Sequence, residues 1–132
     1  MSITIQRDGR TGLRHTVSVR DHRFSVDEQA SVGGVDAGPS AHDLYDASLG
    51  ACKALTVLWY AKRKGMPLED IEVVVDRDDS AERQGVYKLK ASLRLTGELS
   101  DAQRDELLKV AGKCPVHKLM TSATIAIETV WA

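Results

Sequence analysis

Ser40-Ala41-His42-Asp43-Leu44-Tyr45-Asp46-Ala47-Ser48-Leu49-Gly50-Ala51-Cys52 opens the stretch that decides the fold. A serine answered by an acid three residues on can satisfy the free amides of a helix start, so Ser40 is expected as an N-cap with Asp43 as its reciprocal partner. From Leu44 to Lys62 the sequence is apolar on most sides and rich in small residues (Ala47, Ser48, Gly50, Ala51, Ala54, Ala61), the pattern of a buried central helix. The small residues suit core packing, and equally a seam against a second helix. Lys62-Arg63-Lys64-Gly65 ends the helix, with cations in its last turn and a glycine able to take the left-handed cap. One small sheet cannot cover such a helix, so a two-fold symmetric dimer is expected.

Strands are read on either side. Ile3 to Arg7 and Leu13 to Arg20 flank an Asp8-Gly9 turn signal, Arg23 to Val26 adds a third strand, and the glycine-rich Ser31 to Pro39 is a loop. After the helix, Ile71 to Val75 and Val86 to Leu95 read as antiparallel strands, the second with Tyr87, Leu89, Ala91, Leu93 and Leu95 on one face. The charged Asp76 to Gly85 connects them as a solvated tip. Ser100 with Gln103 makes a second capping box for a helix through Ala111, and Cys114-Pro115 opens a further short helix. Thr124 to Trp131 is expected to close the fold as a strand. The class is α+β, one domain over residues 1–132, with antiparallel sheets around a long central helix.

Composition narrows the function. With 18 Lys and Arg against 19 Asp and Glu, the net charge of −1 gives no general attraction to nucleic acid or anionic lipid. No apolar stretch is long enough to span a bilayer, and the first residues lack the apolar core of a signal peptide, so a cytoplasmic protein is expected. Two cysteines in a reducing compartment leave free thiols, redox chemistry or metal binding.

Cys52, among small and apolar residues, suits a buried inert thiol as well as a reactive one. Cys114 follows Lys113, opens a helix and precedes His117 by one turn, features that favour a thiolate. His117 suits either assistance to the thiol or a plain bond to a backbone group. A metal site from Cys52, Cys114, His117 and His42 has only half of a standard zinc pattern.

Gly33-Gly34-Val35-Asp36-Ala37-Gly38-Pro39-Ser40, Ala47-Ser48-Leu49-Gly50-Ala51-Cys52, Arg63-Lys64-Gly65 and Lys113-Cys114-Pro115-Val116-His117, in that order, resemble the OsmC/Ohr superfamily, in its general OsmC-like branch. The resemblance implies an intertwined homodimer with two active sites at the subunit interface, and no metal or prosthetic group. It implies a thiol-dependent peroxidase in which Cys52 attacks a small-molecule organic or hydrogen peroxide and becomes a sulfenic acid. Cys114 would then form a disulfide with it, reduced by an external dithiol or lipoyl-type reductant. An early-strand arginine, matched here by Arg23 with Arg14 and Arg20 nearby, would lie over the thiol and be held by a carboxylate. The glutamate usual ten positions before the cysteine is replaced by His42, and Asp43 is the acidic residue that resembles it. That departure favours an alternative: a weakly catalytic redox-sensing or ligand-binding dimer.

Overall fold

The computed structural model describes residues 1–132, which form two compact units, Met1–Tyr45 and Asp46–Ala132. The first unit holds a three-stranded antiparallel sheet of β1 (Ile3–Arg7), β2 (His15–Val19) and β3 (His22–Val26), in that order. Ile5 faces Val17, and Val17 faces Phe24, along a ladder whose central residue Val17 is buried. The connection between β1 and β2 is a seven-residue excursion rather than the tight hairpin that Asp8-Gly9 suggested. It is closed by the Asp8 amide donating to Arg14 O at 2.9 Å and by Thr16 Oγ1 donating to Asp8 Oδ1 at 2.7 Å.

The glycine-rich loop is organised by the buried Asp27, whose carboxylate accepts from the amides of Glu28 (2.8 Å), Ala37 (3.0 Å) and Val35 (3.1 Å). These amides hold the Asp27 carboxyl below the usual carboxylate range, Ala37 first among them. Gly38 passes against the backbone of Ser25, where any side chain would collide with the Ser25 carbonyl.

Helix α1 (Ala41–Lys64) begins as the serine-acid spacing requires. The Asp43 amide donates to Ser40 Oγ at 3.2 Å and the Ser40 amide to Asp43 Oδ2 at 2.9 Å. Within the second unit this helix buries Asp46, Leu49, Gly50, Lys53, Val57 and Ala61, an i, i+3, i+4, i+7 stripe. The stripe packs on β4 (Asp70–Asp78) and β5 (Lys88–Thr96), a two-stranded antiparallel sheet, and on helix α2 (Asp101–Ala111). Val57, Ala61, Leu107 and Ala111 form the core, with Ile71, Leu93 and Leu95 from the sheet packed against them. The register sets Ile71 opposite Leu95, Val73 opposite Leu93 and Val75 opposite Ala91 on the covered face. Strand β4 runs longer than its apolar pattern alone indicated, because Asp76, Arg77 and Asp78 continue the ladder to Lys88, whereas β5 begins at Lys88 rather than Val86.

Gly50 shows what one of the small helix residues is for. A Cβ there would lie 2.9 Å from Val75 Cγ2, so the helix backbone sits directly on β4. Gly50→Val is expected to force the two apart and to cost about 1–3 kcal/mol, read as a lowered urea midpoint with an unchanged slope.

Arg77 lies on the same strand face as Val73 and Val75, which carries its guanidinium to the buried Asp46. Tyr87 OH donates to the other Asp46 oxygen at 2.7 Å. Burial and the Asp46 charge push the Tyr87 phenol up to about 12.

Helix α2 is capped by Ser100 and Gln103 in a complete box, and α3 (Pro115–Thr121) starts on Cys114 with proline in its first turn, both as expected. The expected closing strand is not formed. Residues 123–132 run exposed with no ladder partner in the chain, and the β-favouring Ile125, Ile127 and Val130 make a strand only where another strand pairs with them. No helix is long and apolar enough to cross a membrane.

Candidate active site

Cys52 sits in the middle of α1. The amide it uses comes from another element: Val116 N, in the first turn of α3, donates to Cys52 Sγ at 3.5 Å. Proline at position 115 has no amide of its own, so the donor is that of the next residue. Thr56 Oγ1, one helical turn on, lies 3.9 Å from the Cys52 sulfur. Both cysteines are free thiols, Cys52 half-buried and Cys114 fully enclosed at 0% exposure.

The electrostatic balance at Cys52 can be followed contribution by contribution. Burial pushes its thiol up and is the largest single influence. The Val116 amide, the Cys114 thiol, the Thr56 hydroxyl and the charge of Lys53 pull the other way, and together they hold it below the ordinary thiol range. Cys52 is thus the thiol whose anion its surroundings favour, and Cys114 is the fully enclosed one. The features around Cys114 in sequence act elsewhere: His117 Nδ1 meets Lys53 Nζ at 3.0 Å, and the α3 amide serves Cys52.

Lys53 is the residue that sequence reading passed over. It is 6% exposed, and its Nζ donates to Ala111 O at 2.8 Å as well as meeting His117. The signal was present, since position 53 falls on the stripe through 46, 49, 50 and 57, where a lysine must be buried or break the pattern. Thr56 and the Val116 amide were missed for a different reason: a fold contact 64 residues apart brings Val116 to the sulfur.

Arg23 and Asp43 are placed within the first unit. Arg23 is exposed on β3, opposite Ser18 of β2. Asp43 is the reciprocal capping acid of α1, a sufficient structural reason for an aspartate at that position. No three or more His, Cys, Asp or Glu side chains gather where a metal ion could be held.

Residues 33–130 match the family described as OsmC-like protein. The chain belongs to that family. No curated protein matches it by sequence. Among solved structures it is similar to an OsmC-like protein from Mycoplasma pneumoniae, with TM-score 0.71 and 16% identity over 92% of this chain and 86% of that one. It is also similar to the organic hydroperoxide resistance protein OhrB of Bacillus subtilis, with TM-score 0.58 and 21% identity over 92% of each chain. An organic hydroperoxide resistance protein from Legionella pneumophila gives TM-score 0.62 and 19% identity, over 88% of this chain and 93% of that one. At these identities the structures establish the OsmC-like fold: α+β, with two small antiparallel sheets and one long helix.

Proposed function

We propose that this OsmC-like protein is a thiol-dependent peroxidase for organic or hydrogen peroxides, with Cys52 as the attacking thiolate and Cys114 as its disulfide partner. One observation carries the reading: the amide of Val116, two residues beyond Cys114, donates to the Cys52 sulfur, which favours the thiolate there. The Cys52 thiolate attacks the terminal peroxide oxygen, the O–O bond breaks, and the alkoxide leaves with a proton as alcohol, or as water from hydrogen peroxide. Cys52 becomes a sulfenic acid. The Cys114 sulfur displaces its hydroxyl, releasing water and closing the Cys52–Cys114 disulfide. An external dithiol or lipoyl-type reductant then reduces that disulfide and leaves as its own disulfide. No resident metal or prosthetic group enters these steps. Arg23 and Asp43 keep, within this proposal, the roles that the resemblance gives them: a guanidinium for the thiolate and leaving oxygen, and the carboxylate that orients it.

Peroxide consumption in the presence of a dithiol tests the reading. Turnover of an alkyl hydroperoxide that rises with pH and levels off below the ordinary thiol range supports it, since the thiolate is the attacking form and its pKa is lowered. Consumption no faster than by the dithiol alone contradicts it.

The proposal includes a homodimer. Along the face of α1 away from its buried stripe, Leu55 is 69% and Trp59 60% exposed, beside the exposed Ala47, Ala51 and Leu58. An apolar helix face of this kind needs a cover. Light scattering is expected to give a mass of two chains across a wide concentration range, and a concentration-independent monomer would remove the dimer and the interfacial site together.

A further inference from the structure

We infer that Lys53 is the counter-ion of the Cys52 thiolate, a positioning residue fixed in place by His117 and by the end of α2. The geometry leads there by elimination. Lys53 is buried to 6% exposure, and its ammonium donates to Ala111 O at 2.8 Å and to His117 Nδ1 at 3.0 Å. Both acceptors are neutral, and none of the chain's ion pairs involves Lys53. A buried ammonium is costly unless an opposite charge compensates it, and a half-compensated one is worse than none. Ala111 ends an eleven-residue helix, so its carbonyl lies at the partly negative end of α2, which helps without supplying a full charge. The ammonium and the Cys52 sulfur are held by successive residues of α3, His117 and Val116, which makes the Cys52 thiolate the anion that would complete the site.

His117 has a defined part in this arrangement. An ammonium has only donors, so His117 Nδ1 must accept and the ring proton resides on Nε2. The imidazole thus acts as a fixed acceptor that keeps the lysine head beside α3, where the Val116 amide also reaches the sulfur. The groups that face Cys52 are then Lys53 and Thr56 from α1, and the Cys114 thiol and Val116 amide from α3. Lys53 is the one full charge among these groups, additional to the guanidinium proposed for Arg23.

This inference rests on the thiolate role proposed for Cys52, but its test needs no peroxide. The rate of Cys52 alkylation by iodoacetamide is followed against pH in the Cys114→Ser background, so that one thiol reports. Lys53→Met is expected to raise the midpoint of that profile by about one unit or more, while the plateau rate at high pH is unchanged. Lys53→Arg is expected to restore most of the shift. Where methionine is not tolerated at this buried position, Lys53→Gln carries the test, since it stays polar and loses only the charge. A purely structural lysine would alter the melting temperature and leave the midpoint alone. A folded Lys53→Met or Lys53→Gln protein with the parent's midpoint overturns the inference. A shifted midpoint in a protein that consumes no peroxide would uphold it and sink the peroxidase reading instead.

Discussion

Cys52→Ser is expected to abolish dithiol-dependent peroxide turnover, by roughly three orders of magnitude or more, while leaving the melting temperature close to that of the parent protein. The serine hydroxyl is a poor nucleophile toward an O–O bond, and no other thiol takes the same position, because Cys114 is fully enclosed. Cys114→Ser should behave differently. The attacking thiolate remains and is oxidised once. With no second thiol to close the disulfide, the sulfenic acid persists, to be trapped by dimedone or carried on to sulfinic acid by excess peroxide. Mass spectrometry after one equivalent of peroxide separates the two variants. Equal and full turnover in both would remove the two-cysteine mechanism.

The second large effect concerns stability. Arg77→Ala is expected to destabilise the protein by about 2–3 kcal/mol, because it leaves the buried Asp46 carboxylate without its cation. The figure stands below that for a fully buried pair because the Arg77 side chain is 30% exposed. Tyr87→Phe keeps the ion pair and removes one hydrogen bond to Asp46, so about 1 kcal/mol is expected there. Urea unfolding at neutral pH ranks the two. The raised Tyr87 pKa adds a pH window: its folded-state value of about 12 lies above that of the unfolded chain, so the tyrosine's contribution is complete below about pH 10 and is lost as pH climbs toward 12.

The fold was largely legible where it depends on local pattern. Ser40 with Asp43 and Ser100 with Gln103 each gave a helix start that the hydrogen bonds reproduce, and Cys114-Pro115 marked the start of α3. Alternation in β5 named Leu89, Ala91, Leu93 and Leu95 of its half-buried face. What failed depends on partners outside the local window. Residues 124–131 carry a strand pattern with no strand beside them in the chain, and the charged end of β4 pairs because β5 lies opposite, not because its own residues favour a strand.

The site divides in the same way. Cys52 and Cys114 were singled out from motif and resemblance, and the Val116 amide, two residues beyond Cys114, reaches the Cys52 sulfur. The features assigned to Cys114 from its sequence neighbours were reassigned by geometry: the α3 amide goes to Cys52, and His117 goes to Lys53. Side chains three residues apart on a helix can share a face, yet what each meets is set by the element packed across from it. Lys53 was overlooked because a lysine in a long helix is ordinarily solvated, and only its place on the buried stripe tells otherwise.

The most direct measurement is stopped-flow oxidation of the reduced protein by one equivalent of an alkyl hydroperoxide, with thiol counting and peptide mapping of the product. The account predicts fast, second-order loss of both thiols per chain and a product in which Cys52 and Cys114 are joined. Two thiols still free after the peroxide is spent, or slow oxidation at the rate of an ordinary exposed cysteine, would contradict it.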